Sequence, residues 1–358
     1  MDKTLSRKTA TPSPSPLRWL DAFDRRLTLR GLAWAKENAP RFNRLPLRAK
    51  GIVREPVWEL ARCPAGARLC FRSNTTRLAV RVQLAALPQF PHFPLTGSAG
   101  LSLYIGEPYR SALWAIAVPD PSVPSYEREL ASGLPRTMHE FTLYLPLYAA
   151  LEKLEVGVDA ASRFEAPSPP ALPRPVVFYG TSITQGGCAS AAGFDFVASV
   201  ARRLNLDFVN LGFSGNGKGE PEMARLISEI HAAAFVLDYV ANVNLHQLRK
   251  TLPRFHSILR QAHPETPIIL LSRVEFARTH ALASSRTAHE DFRDAVIHFY
   301  SRTRRAGDRN VHFVDGSALL PYAADAAQVD GAHPADYGFA LMAERFAPFL
   351  RAIVLDRW

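Results

Sequence analysis

The stretch "GTSITQGG", residues 180–187, sets Ser182 one step beyond an apolar run and among small residues. A serine in such a turn presents its hydroxyl and its own backbone N–H to one point, which suits a nucleophile whose amide steadies the oxyanion it creates. The same residues also fit a plain Ser/Thr helix cap. A second apolar run leads into "LGFSGNGKGE", residues 211–220. Its glycines approximate a phosphate-cradling loop, but Gly219 stands where the hydroxyl that holds magnesium belongs. Asp238, closing the apolar run "AFVLD", keeps a nucleotide reading open; otherwise the glycines let the Gly215 N–H approach a substrate oxygen, with Lys218 a surface charge or a substrate contact. Asn242 in "LDYVANVN" is a candidate amide donor to a developing oxyanion, or a turn residue. Near the end of the chain, "VDGAHPADYG" carries Asp330 and His333 three apart, so that the carboxylate can take the Nδ1 proton and leave Nε2 as a base.

Acyl transfer needs these groups on one rim, and the elements between them predict how they get there. Five runs, "PVVFYG", "LDFVN", "AFVLDY", "PIILLS" and "VHFVD", are apolar throughout and alternate with helical periodicity near 197–204, 221–231, 245–262, 284–305 and 335–352. This pattern predicts an open five-stranded parallel sheet in a three-layer α/β/α domain, whose ligands bind outside the carboxyl ends of the strands. Ahead of it, "APSPPALPRP" has five prolines in ten residues and reads as a linker, 166–175. Before the linker, short alternating stretches ("PVWEL", "ARLCFRS", "LAVRVQL", "LSLYIG", "ALWAIAV", "EFTLYLPL", "KLEVGVD") predict an antiparallel β-sandwich over 46–165. Residues 1–45 are expected to be a basic, partly disordered arm with a short helix within 17–40, and 176–358 the α/β/α domain.

Composition narrows the function classes. The net charge of +10 is concentrated in residues 1–50, where twelve Lys/Arg face four Asp/Glu; the other 308 residues carry only +2. Such an arm is a solvated tail rather than a reader of nucleic acid, since no base-stacking aromatics alternate with its charges. No apolar segment approaches a membrane span and no leader is evident, so a soluble cytoplasmic protein without membrane association is expected. Three cysteines, Cys63, Cys70 and Cys188, make no disulfide framework or zinc spacing. The histidines at 231, 246, 256, 263, 280 and 289 form no ligand cluster, and no metal or cofactor is expected. Cys188 reads as a packing residue rather than a second nucleophile, and Arg273 and Glu275 at the fourth exit as substrate contacts or a surface pair.

Taken in order, Ser182, Gly215, Asn242 and His333 resemble the four marker residues of the SGNH, or GDSL-type, hydrolase superfamily, over essentially all of 176–358. "FYGTSITQGGCAS" and "NLGFSGNGKGEPEMA" are similar to the GxDLY-type acylhydrolases, in which a β-sandwich, here jelly-roll-like, precedes a flavodoxin-like hydrolase domain; "GLSLY", residues 100–104, stands for the naming motif. Three positions depart from the pattern: Thr181 replaces the Asp of GDS, Val243 follows Asn242 where many relatives carry Asp, and Ser102 replaces the Asp of GxDLY. The resemblance implies a metal-free serine esterase: Ser182, His333 and Asp330 as the triad, and Ser182, Gly215 and Asn242 as the oxyanion hole. It also implies small acyl groups such as acetyl, carried on a small-molecule or saccharide ester. A glycan-binding module that keeps a hydrolase-like domain and a nucleotide-binding protein using 212–219 remain the rival expectations.

Overall fold

A computed structural model describes residues 16–321 and 326–356. The polar, proline-rich start of the expected arm therefore lies outside the described residues. Ten strands precede the linker: β1 (Leu17–Asp21), β2 (Thr28–Arg30), β3 (Arg68–Ser73), β4 (Leu78–Leu84), β5 (Leu101–Ile105), β6 (Ala112–Ala117), β7 (Ser125–Ala131), β8 (His139–Tyr144), β9 (Leu151–Asp159) and β10 (Phe164–Glu165). They form two antiparallel sheets, β1-β9-β4-β7 and β10-β3-β8-β5-β6, with β2 also paired to β3. Alternation places Leu69, Phe71, Phe141 and Leu143 of one sheet against Val80, Val82, Val156 and Val158 of the other, all buried.

Beyond the linker, β11 (Val176–Gly180), β12 (Phe208–Gly212), β13 (Ala234–Asp238), β14 (Ile268–Leu271) and β15 (Val311–Val314) form a parallel sheet in the order β12-β11-β13-β14-β15. Every residue of β11 to β14 is buried, because helices cover both faces. The chain leaves β11 toward one neighbour and then crosses to the other, so the crevice above β11 is the switch point of a flavodoxin-like sheet.

Three expectations for the first half of the chain change. Residues 17–21 and 28–30 are sandwich strands, and helix is confined to Ala35–Asn38: β1 lies along β9, pairing Leu17 with Asp159. "PVWEL" is not a strand but the core of the helix Glu55–Ala61, started by Pro56; Val57, Trp58 and Ala61 share one helical face. That face does not join the sandwich. With Trp34, Leu45, Ala49 and Val53 it covers Val177, Tyr179, Leu211 and Phe235 of the parallel sheet, so residues 34–61 act as a layer of the second domain. Full burial of each large apolar side chain there contributes about 1.5–3 kcal/mol. The strand β7 was hidden in sequence by charges at Glu127, Arg128 and Glu129 on a sheet edge.

The linker 166–175 forms no helix or strand. It is held at Ala171, whose N–H donates to the Asn205 carbonyl (2.7 Å), and at Ser168, whose carbonyl accepts from Arg30 (3.0 Å). Among the described residues, no helix is long and apolar enough to cross a membrane.

Candidate active site

Register brings the site together. Gly180 of β11 pairs with Gly212 of β12 on one side and Asp238 of β13 on the other, so three neighbouring strands end level. Ser182 opens the short helix Ser182–Gln185, capped by Thr181, whose Oγ1 accepts from the Ile183 N–H (3.2 Å). The cap reading and the nucleophile reading thus apply to adjacent residues: Thr181 does the capping and leaves the Ser182 hydroxyl for other work.

That hydroxyl lies 2.9 Å from His333 Nε2, and His333 Nδ1 lies 2.8 Å from Asp330 Oδ2. His333 comes from beyond β15, which β13 and β14 separate from β11, so a loop must carry it back across the rim. The loop is pinned by Ala277 N–H to the Gly331 carbonyl (2.8 Å), Val329 N–H to the His333 carbonyl (2.9 Å) and Gln328 to the Glu275 carbonyl (2.6 Å). Gln328 bridges Pro334, and the following helix starts at Asp336. Asp330 also accepts from the backbone N–H groups of His333 (2.8 Å) and Ala332 (3.0 Å). Burial acts to raise its pKa, but these hydrogen bonds and the nearby imidazole outweigh it and hold the carboxyl at about 2, ionised at neutral pH.

Gly215 sits in the turn after β12 at φ +66°, a conformation that glycine alone adopts freely, and a Cβ there would meet nothing within 4 Å. Among the described residues the N–H groups of Ser182 and Gly215 find no acceptor in the chain. Asn242, in the 3₁₀ turn after β13, donates from Nδ2 to the Phe213 carbonyl (3.3 Å), so its amide reaches the same turn. The structure thus gathers Ser182, His333, Asp330, Gly215 and Asn242 on the rim above β11.

The nucleotide reading loses both its parts. A Cβ on Gly217 would strike the Gly180 carbonyl, so this glycine exists for close packing rather than for a phosphate. Arg54 clamps the turn through Asn216 Oδ1 (2.8 Å) and the Asn216 carbonyl (2.7 Å), and the Gly219 N–H donates to Tyr179 Oη (2.9 Å). Asp238 faces Thr184, whose Oγ1 donates to Oδ2 at 2.7 Å. Burial, against that hydrogen bond, pushes its carboxyl up to about 7.

Several supporting residues had no evident signal in sequence. Arg44, only 1 % exposed, donates to the carbonyls of Cys63 (2.7 Å), Leu60 (2.7 Å), Asn210 (3.2 Å) and Gly212 (2.5 Å), and lies 4.7 Å from the centre of the Phe213 ring. It fastens the end of β12, where the Gly215 turn begins, to the segment 34–63. Asn210 donates to the Thr184 carbonyl (2.7 Å) and accepts from the Gly212 N–H (2.9 Å), while Gln185 Oε1 accepts from the Ser214 N–H (3.0 Å). The nucleophile helix and the Gly215 turn are therefore locked to each other.

The remaining candidates take no part in the hydrogen-bonded chain from Ser182 to Asp330. Burial and the Asp330 charge push the Cys188 thiol up to about 11, which removes it as a rival nucleophile at neutral pH. Arg273 donates to His289 (3.4 Å) and lies over the Phe292 ring, and Glu275 pairs with His280 (3.1 Å). Ser102 is fully buried on β5 and its hydroxyl has no partner among the described residues; on the same face Tyr104 stacks edge-on with Tyr144 and lies under the Arg202 guanidinium (4.6 Å) of the second-domain helix Phe196–Leu204. This strand serves the contact between domains.

Comparison with known proteins covers both domains of the chain. Residues 173–351 match the GDSL-like lipase/acylhydrolase family, and residues 17–164 match the GxDLY module, the N-terminus of SGNH-hydrolase-type esterases. No curated protein matches the chain. Among solved structures, a protein of Bacteroides ovatus described as a GDSL-like lipase is similar over 94 % of this chain and 98 % of its own, at 28 % identity and a TM-score of 0.86. The salicylyl-acyltransferase SsfX3 of a tetracycline biosynthetic pathway follows at 23 % identity and TM-score 0.77, covering 94 % of this chain and 99 % of its own. An acetyl xylan esterase of Butyrivibrio proteoclasticus is 13 % identical at TM-score 0.59, covering 94 % and 98 %. At these identities the last two bear on the fold alone. Half of the chain carries the family pattern, and the other half carries the module that precedes it: the protein belongs to the GDSL-like lipase/acylhydrolase family of hydrolases.

Proposed function

We propose that the protein is a serine esterase that removes small acyl groups, acetyl foremost, from a hydroxyl-bearing substrate, with a saccharide ester favoured. The observation that carries this reading is the continuous chain from Ser182 Oγ through His333 to Asp330, at 2.9 and 2.8 Å. Ser182 Oγ attacks the ester carbonyl as His333 Nε2 takes its proton, and the imidazolium returns that proton to the departing alcohol. The N–H groups of Ser182 and Gly215 and the Asn242 amide receive the negative oxygen. Water, deprotonated by His333, then releases the acid from the acyl-serine. Asp330 remains ionised throughout and fixes the ring tautomer.

The saccharide preference draws support from structural neighbours named as carbohydrate esterases, including the acetyl xylan esterase above. A complete Ser–His–Asp chain favours catalysis over a purely glycan-binding role. The test is hydrolysis of p-nitrophenyl acetate and of O-acetylated saccharides by the purified chain, with fluorophosphonate labelling of Ser182. Ser182→Ala should abolish both turnover and labelling while the far-UV spectrum is unchanged; retained turnover would remove Ser182 from the mechanism.

A further inference from the structure

A sandwich loop brings an additional histidine to the active-site rim. In "PQFPHFPL", Phe93 is buried and packs edge-on against Tyr148 (ring centres 5.1 Å apart), as does Phe90 (5.5 Å), and these two contacts hold the exposed His92 with its ring centre 6.1 Å from that of His333. From the other side comes Cys188, 5 % exposed, in a left-handed backbone conformation (φ +74°) uncommon for a residue with a side chain. One donor atom from each of His92, Cys188 and His333 lies within 4.8 Å of the others.

We propose that His92, Cys188 and His333 bind a soft divalent cation, zinc above all, and that its binding silences the enzyme by taking His333 Nε2 away from Ser182. The inhibitory half of this proposal rests on the serine–histidine reading above; the binding half does not. Two imidazole nitrogens and a sulfur form a donor set for zinc and its soft neighbours rather than for magnesium or calcium. Tetrahedral zinc, with bonds of about 2.0 Å to nitrogen and 2.3 Å to sulfur, needs donors about 3.3–3.7 Å apart. Closing the remaining gap of roughly 1 Å falls to His92, the exposed member. His333 is already prepared: Asp330 holds its Nδ1 proton, the arrangement that orients metal-ligating histidines, and Nε2 keeps an available lone pair. Binding converts the Cys188 thiol to thiolate and releases one proton to solvent, and the fourth position is left for water or the Ser182 hydroxyl.

The full chain, freed of metal by chelator dialysis, is titrated with Co²⁺ and, separately, assayed with p-nitrophenyl acetate against Zn²⁺. One equivalent of Co²⁺ should give the visible bands of tetrahedral cobalt together with a thiolate charge-transfer band, and the latter should vanish in Cys188→Ser. Zinc should inhibit reversibly, with EDTA restoring the rate. Because His92 is exposed, His92→Ala carries the test without risk to folding: it should leave the metal-free rate unchanged and weaken zinc inhibition at least ~10- to 100-fold, as should Cys188→Ser. Zinc inhibition of equal potency in both variants, or cobalt binding without a thiolate band, overturns the site. A thiolate band in a wild-type protein that zinc does not inhibit overturns instead the assignment of His333 as the base.

Discussion

Replacing Arg44 by Met should loosen the rim that bears Gly215 and lower both stability and turnover. The guanidinium sits among four main-chain carbonyls with no carboxylate partner among the described residues, and burial lowers its pKa to about 10, so it is still charged at neutral pH. Methionine retains much of the aliphatic volume against Phe213 but strands the carbonyls of Cys63, Asn210 and Gly212, at about 1–3 kcal/mol for each buried one, while the Leu60 carbonyl keeps the Cys63 N–H. Removing a buried, unpaired charge returns several kcal/mol of desolvation, so the net loss should be about 2–4 kcal/mol. At an unfolding entropy of about 2.1 cal/mol/K per residue, a chain of 358 residues shifts by roughly 1.3 °C per kcal/mol, so Tm should fall by roughly 3–5 °C in a thermal melt. The two strand carbonyls, Asn210 and Gly212, lie immediately before the Gly215 turn, and displacing that turn by about 1 Å should cut kcat by about 10- to 100-fold with KM little changed. Arg44→Lys keeps the charge but cannot span both pairs of carbonyls, and should fall between the two in Tm. Assays run well below both melting points separate misplacement from unfolding. If Arg44→Met melts like the wild type and turns over normally, the clamp does not exist in solution; a lowered Tm with normal kcat would limit Arg44 to stability.

Asn242→Ala should lower kcat for p-nitrophenyl acetate by on the order of 100- to 1,000-fold without changing Tm, and an unaltered rate would take the amide out of the oxyanion hole. Asp330→Asn should depress kcat about as strongly as loss of tautomer control does in serine hydrolases, about 10⁴-fold, while leaving fluorophosphonate labelling of Ser182 slow but measurable. For Asp238 the sign follows from a folded-state pKa of about 7, above the ordinary carboxylate value of 3.8: the folded chain holds this proton more tightly, so the stability tied to it declines as pH rises from about 4 to about 7. Asp238→Asn, which cannot ionise and still accepts from Thr184, should therefore gain on the wild type in urea midpoint between pH 5 and pH 8; a difference independent of pH would refute this.

The parallel sheet was legible because doubly buried strands are apolar at every position and their spacing leaves room for one helix each. Ser182, Gly215 and Asn242 were legible for a related reason: each follows such a strand within a few residues, so topology fixes the rim before any contact is known, whereas the Asp330–His333 pair, well beyond the end of β15 at Val314, was legible from its three-residue spacing. His333 needed more than that, since a loop returns it over two strands. Arg44 and Arg54 were not legible, because in a stretch crowded with Arg and Lys a buried cation looks like its solvated neighbours, and their acceptors lie far along the chain. "PVWEL" misled because five residues with a single charge are too few to separate a strand from one face of a helix, and only Pro56 pointed to a helix start. His92 escaped for want of periodicity: its loop is set by three prolines and two aromatics anchored on Tyr148.

The layer formed by residues 34–61 has a consequence for biogenesis. Arg44 and the Gly212 carbonyl it grips are 168 positions apart, and β1 waits for β9 before it can pair. As the nascent chain leaves the ribosome, Trp34, Leu45, Val57 and Trp58 emerge long before the strands that bury them. The sandwich strands can pair once β9 and β10 emerge, but the apolar face of residues 34–61 stays uncovered until β11, β12 and β13 have been synthesised, so the newborn polypeptide carries a sticky segment well into the making of its second half.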